Sequence, residues 1–248
     1  MKHSLRVAMA ALLSVTMLGA ATGASAQASA SSSFGAFRLQ IVDLTPYDGV
    51  EAGVRFLDGS TGAYALLRDD SGGVRDSAQA GSAGGPIQVL IDTADSHLAS
   101  NATLTSASSL VSIMNGSGET FTDIFRNFVL APHTEVTFSI DAVANASAPG
   151  TPGLFSYVAI NGVIRDDNGI IVVESDGLSS DIASSDTLSV TLNSAGAELT
   201  GWLEFATAAY AQVPAVPEPT SMAMLAAGLA IVGRLARRCA AACPCPCP

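Results

Sequence analysis

Few side chains in this chain have the chemistry for catalysis, and their spacing is poor. Val89-Leu-Ile-Asp92-Thr93-Ala94 sets a carboxylate after an apolar run, as an aspartic-protease site does. Such a site needs a glycine after the threonine for a tight turn, and a second carboxylate to share its proton. Ala94 stands at the glycine position, and Asp70-Ser71-Gly72 follows the polar Arg68-Asp69 rather than an apolar strand. Between residues 27 and 219 there are two histidines, His97 in a polar stretch and His133 after Pro132. They stand far apart and outside any His-Glu-x-x-His helix, which argues against a zinc hydrolase. The Gly-x-Ser-x-Gly elbow of serine hydrolases is missing, and the same span holds no cysteine nucleophile. A secreted hydrolase built on this chain would have to use Asp92 or His97. The expectation is a protein with no catalytic residue and no cofactor.

Two other ligand chemistries deserve weighing. Asp69-Asp70 and Asp166-Asp167-Asn168-Gly169 offer hard oxygen atoms of the kind calcium takes. Neither run has Asp-x-Asp-x-Asp-Gly spacing with a later bidentate glutamate, and acidic turns form for backbone reasons alone. No metal ligand is assigned. The single tryptophan, Trp202, alternates away from Leu199, Leu203 and Phe205 and shares its face with Glu204. An exposed indole beside a carboxylate can stack on a sugar ring and accept its hydroxyl protons. Trp202 and Glu204 are therefore the candidate contacts for an extracellular polysaccharide.

The elements that must carry these residues read as strands. Thr134 to Ala144 places Val136, Phe138, Ile140 and Ala142 on one face and Glu135, Thr137, Ser139 and Asp141 on the other. Thr187 to Asn193 and the Leu199, Leu203, Phe205 series repeat that period of two. Phe37–Asp43, Ile87–Ile91, Phe155–Ile164 and Ile170–Val173 are further strand candidates. Arg165-Asp-Asp-Asn-Gly169 predicts a hairpin, since Asn-Gly accepts positive φ. Asp69–Gly73, Ala78–Pro86 and Asn145–Gly153 read as turns or loops. Glu119–Leu130 fits a helix by spacing and a strand by composition, with the strand favoured by its neighbours. Short strands at this spacing predict an all-β fold, a two-sheet antiparallel sandwich of jelly-roll type.

Charge is segregated along the chain. All 22 acidic residues lie between Asp43 and Glu218, against six arginines and no lysine in residues 27–219. That acidity argues against a nucleic-acid partner, because a polyanion would be repelled. It suits solubility outside the cell.

Both ends carry address signals. Lys2 and Arg6, the apolar Val7–Leu18 and the small-residue site Ala24-Ser-Ala26 make a secretory signal peptide over residues 1–26, which implies the Sec export machinery. Near the other end, Pro217-Glu218-Pro219 precedes the apolar Met222–Gly233, and Arg234, Arg237 and Arg238 follow. The apolar run spans about 18 Å as a helix, against a hydrocarbon core of about 30 Å. Extended from Thr220 to Ala236 with Arg234 snorkelling, it reaches about 25 Å, a marginal membrane span. The arginines place that flank in the cytoplasm, so residues 27–219 face outward. Pro217 and Pro219 keep the chain before the membrane extended.

This order of Pro-Glu-Pro, short apolar helix and arginine cluster resembles the PEP-CTERM proteins of Gram-negative bacteria, whose tails are read by a membrane-embedded exosortase. The resemblance implies that Pro217, Glu218 and Pro219 are the recognition and cleavage element. It makes Met222–Gly233 a transient inner-membrane anchor and Arg234, Arg237 and Arg238 its stop. It covers only the last stretch of the chain. Cys239-Ala-Ala-Ala-Cys243-Pro-Cys-Pro-Cys247-Pro continues beyond the usual end of such tails, and lacks the C-x₂-C pairing of zinc sites. The expected organisation is a signal peptide (1–26), a flexible leader (27–33), a β-sandwich domain (34–211), a Pro-rich linker (212–219), a transmembrane helix with its arginines (220–238) and a Cys/Pro tail (239–248). The expected role is structural or adhesive, at the cell surface or in the extracellular matrix. A carbohydrate-binding module and a secreted hydrolase are the alternatives.

Overall fold

Side chains alternate inward and outward along nearly every extended segment of this chain, and that alternation builds two sheets. The computed structural model describes residues 27–147, 153–165, 169, 171–213 and 228–230. Among them run twelve strands: β1 (Ala28–Asp43), β2 (Val54–Arg68), β3 (Val74–Ser82), β4 (Ile87–Asp92), β5 (Ser96–Thr103) and β6 (Ser106–Ile113), then β7 (Ser117–Leu130), β8 (Thr134–Ala146), β9 (Phe155–Arg165), β10 (Ile171–Ser180), β11 (Ser184–Asn193) and β12 (Leu199–Gln212). Sheet A has the order β11-β8-β1-β6-β5-β4 and sheet B the order β10-β9-β12-β7-β2-β3. Every pairing is antiparallel. The two-sheet antiparallel sandwich is thus as expected. Its six strands per sheet depart from the eight-stranded plan of a jelly roll.

The core between the sheets falls into two apolar clusters. One is large and aromatic, built on Phe34, Phe128, Phe138 and Phe205 with the isoleucines and leucines around them. The other is built on smaller residues, Ala28, Ala30, Ala63, Ala65, Ala209 and Ala211, with Leu67, Leu98 and Ile113. A seam of buried hydroxyls lies between the sheets as well. Ser100, Ser109 and Ser32 stand in one inward row across β5, β6 and β1. Thr122 and Thr207 face them from β7 and β12. Ser109 Oγ lies 2.8 Å from Thr207 Oγ1 and 3.3 Å from Thr122 Oγ1, and Thr122 also bonds Ser100. The Ser32 hydroxyl donates to the Ala208 carbonyl at 2.9 Å. Pairing hydroxyls with one another offsets their desolvation inside the sandwich.

Several expectations change. Residues 27–33 are not a leader: Ala28–Ser33 open β1, with Ala28, Ala30 and Ser32 buried and Ser29, Ser31 and Ser33 turned outward. Their small side chains hid the period of two. Ala78–Ser82 belong to β3 rather than to a loop, again because inward residues such as Ala78 and Ala80 are small. Glu119–Leu130 lies within β7, where Phe121 and Phe125 face outward and Ile124 and Phe128 inward. The Asp69–Gly73 turn is as read: Asp69 Oδ1 accepts from the Ser71 and Gly73 amides at 2.9 and 2.8 Å, and Gly72 has φ +83°. β9 and β10 form the expected hairpin, with Arg165 opposite Ile171. Of the expected membrane helix 220–238, only residues 228–230 are described, and they are helical. Among the described residues no helix is long and apolar enough to cross a membrane. The expected signal peptide 1–26 and the expected tail 239–248 lie outside the described residues.

Candidate functional site: the groove at Trp202

β12 is a central strand of sheet B, and its even-numbered residues face outward. Trp202 therefore projects from the outer face between Asn127 of β7 and Val163 of β9. Two residues back, Thr200 sits opposite Arg165, the last residue of β9. The Arg165 guanidinium covers the indole at 5.2 Å from the ring centroid, a cation–π distance. A break in the β2–β7 register between Phe56 and Gly59 leaves Leu57 and Asp58 as a bulge at the rim. Bulges commonly re-aim side chains beside a site. Trp202, Arg165, Asn127 and Asp58 together line a groove of about 270 Å³. Its floor depends on Gly201, where a methyl group would lie 2.6 Å from Phe128 Cζ.

Glu204, expected beside Trp202, lies on the same outward face one pleat along β12. It sits between Phe125 and Asn161, and Asn161 Nδ2 approaches Glu204 Oε2 at 3.5 Å. The structure brings Trp202 together with Arg165, Asn127 and Asp58 instead. None of the three carries a local sequence signal, because their proximity depends on long-range strand pairing. The groove offers a ring, a cation, an amide and a carboxylate. That set suits a polar ligand with hydroxyl groups.

The hydrolase candidates occupy the other outer face. Asp92 and His97 are cross-strand partners in β4 and β5, with His97 Nδ1 3.3 Å from Asp92 Oδ1. Ser112 of β6 is the next residue in that row, and it accepts a hydrogen bond from the Gln27 amide at 2.9 Å. The His97 and Asp92 side chains are 45% and 66% exposed, so the pair lies open to water. His133 has φ +54° in the β7–β8 turn, with Nε2 3.7 Å from Asp48 Oδ2. The Thr45 hydroxyl and the Val50 amide, hydrogen-bonded to Asp48, hold that carboxyl below its ordinary range. Asp69, weighed for calcium, is engaged by its own turn. Among the described residues no group of three or more His, Cys, Asp or Glu could hold a metal ion.

Pro217, Glu218 and Pro219, with Arg234, Arg237 and Arg238, lie outside the described residues. The chain leaves the sandwich at Val213, whose amide donates to the Gly116 carbonyl at 2.9 Å. No curated protein and no solved structure matches the chain. The family model for the PEP-CTERM protein-sorting motif matches residues 215–238. A motif of this kind implies processing by an exosortase and export to the cell surface. The chain carries that PEP-CTERM sorting motif directly behind its β-sandwich.

Proposed function

We propose that this is an exported protein, held briefly in the inner membrane by residues 220–238 and released by an exosortase. Its sandwich then serves as a non-catalytic structural or adhesive component of the envelope or extracellular matrix. The sorting motif at 215–238 carries the reading. The acidic, lysine-free stretch 27–214 ahead of it and the water-open Asp92–His97 pair support it. A second reading, a carbohydrate-binding module at the surface, is favoured by the Trp202 groove with its ring, amide and carboxylate. Attachment of cells lacking the protein, compared with complemented cells, tests the role. The reading expects weaker attachment or a looser matrix without it, and equal attachment would contradict it. Complementation with Trp202→Ala separates the two readings, since only the module loses retention on polysaccharide with that change.

A further inference from the structure

The two outer faces of the sandwich differ sharply in chemistry. Sheet A presents serines outward: Ser29, Ser31 and Ser33 on β1 beside Ser108 and Ser112 on β6. Sheet B presents rings. Tyr64 and Phe121 stack across β2 and β7 with centroids 5.7 Å apart. Phe155 and Tyr210 stack across β9 and β12 at 5.8 Å. Tyr157 and Phe125 add outward rings, and Trp202 lies farther along the same face. Half of the chain's aromatic side chains thus stand on one outer face, although burial in the core is the usual place for them.

A channel opens on this face between the rings at its β2–β3 end and closes over Ala206 and Ala159, which are 7% and 2% exposed. The register aligns Gly81, Gly62, Asp123, Ala206, Ala159 and Gly177 in one outward row, from edge strand β3 to edge strand β10. Tyr64, Phe121 and Tyr157 lie in the row on one side, and Phe125, Glu204 and Asn161 in the row on the other. Five strand spacings make the row about 24 Å long. At the β2–β3 end it deepens into a groove of about 450 Å³ lined by Tyr64, Gln79 and Asp123. Gly62 makes room for Asp123 there, since a methyl group on Gly62 would meet Asp123 Oδ1 at 2.5 Å.

We propose that this channel binds an uncharged polysaccharide laid across the strands of sheet B, a site distinct from the Trp202 groove. The proposal rests on the reading of the body as a surface adhesive. Sugar rings present C–H faces that pack on aromatic rings, and hydroxyls that donate to carboxylates and amides. Tyr64, Phe121 and Tyr157 supply the first, and Asp123, Glu204 and Asn161 the second. Tyr64, Phe121 and Tyr157 stand in one row that crosses β2, β7 and β9, and rings set out along such a row suit successive units of a polymer rather than a single sugar. The carboxylates of Asp123, Glu204 and Glu119 on this face repel an anionic glycan, and no lysine is present in the body to attract one.

The test is retention of the detergent-solubilised full chain on amorphous cellulose and on a dextran gel, with alginate as the anionic probe. The chain should be held by at least one uncharged probe and not by alginate. Phe121→Ala, Tyr157→Ala and Asp123→Asn should each weaken retention about two- to tenfold, with thermal unfolding confirming that the variants fold. Gly62→Ala, which pushes the Asp123 carboxylate aside without removing a ring, should also weaken it. Ser31→Ala, on the opposite outer face, should leave retention unchanged. Binding to neither uncharged probe, preference for alginate, or equal binding by folded channel variants each overturns the proposal. If cells still need the protein to attach while the pure chain ignores both glycans, the channel proposal fails and the adhesive reading stands. If attachment is also unaffected by loss of the protein, both fail.

Discussion

Arg75 and Asp95 join the two sheets at their shared edge. Arg75, on edge strand β3 of sheet B, places Nη1 3.1 Å from Asp95 Oδ2 and Nη2 3.3 Å from Oδ1. Asp95 sits in the turn between β4 and β5 of sheet A, where the Thr93 hydroxyl also donates to it at 2.8 Å. The paired geometry resists sliding of one edge past the other. About a third of each side chain remains exposed, at 34% and 32%, so the expected worth of the pair is under about 1 kcal/mol.

This pair has a pH signature. Its hydrogen bonds, from Arg75 first and Thr93 next, hold the Asp95 carboxyl below its ordinary value of 3.8. Asp69 and Asp141 are lowered in the same way by Ser71 and by Arg38 respectively. A carboxyl depressed by folding contributes stability above its unfolded value and loses it as pH falls through the folded value. Thermal unfolding followed from neutral pH downward should therefore show the midpoint dropping below about pH 4. Asp95→Asn should lower the neutral midpoint slightly and make the acid drop shallower. An unchanged acid drop would remove Asp95 from the explanation.

The hydroxyl seam predicts opposite outcomes for two neighbouring threonines. Thr122 bonds both Ser100 and Ser109, so Thr122→Val removes one partner from each while the Phe121 carbonyl and Thr207 still serve them, and should cost about 0.5–1.5 kcal/mol in denaturant unfolding. Thr120 is equally buried, but its hydroxyl has no partner among the described residues. Thr120→Val should be neutral or stabilising. Equal destabilisation by the two changes would contradict the network.

Gly201 is predicted to be intolerant of any side chain. A Cβ there would meet Phe128 Cζ at 2.6 Å and Ile164 Cγ2 at 2.9 Å, both in the packed core. Gly201→Ala should cost about 1–3 kcal/mol through overpacking. It should also change the Trp202 emission, because the adjacent indole rests on that backbone. Gly35→Ala, with nothing within 4 Å of the added carbon, is the control, and should shift stability far less.

What was legible in the sequence followed side-chain size. β8 was plain because Val136, Phe138, Ile140 and Ala142 alternate with polar residues, and the β9–β10 hairpin was marked by its Asn-Gly. The start of β1 carries no such signal because Ala28, Ala30 and Ser32 are the inward set, and small or hydroxylated residues give no hydrophobic period. The same holds for Ala78 and Ala80 in β3. Trp202 could be placed on an outward face from alternation alone. Its neighbours Arg165, Asn127 and Asp58 could not, since β12 lies between β9 and β7 only through pairings distant in sequence. The channel across sheet B was hidden for the same reason, being assembled one residue per strand.

The sorting account is tested most directly by following the tagged chain in cells with and without an exosortase. With the enzyme, the account predicts a shortened form at the cell surface, cut near Pro217-Glu218-Pro219 and free of Arg234, Arg237 and Arg238. Without the enzyme it predicts a longer form that stays with the inner membrane. The same size and the same location in both cells would contradict it.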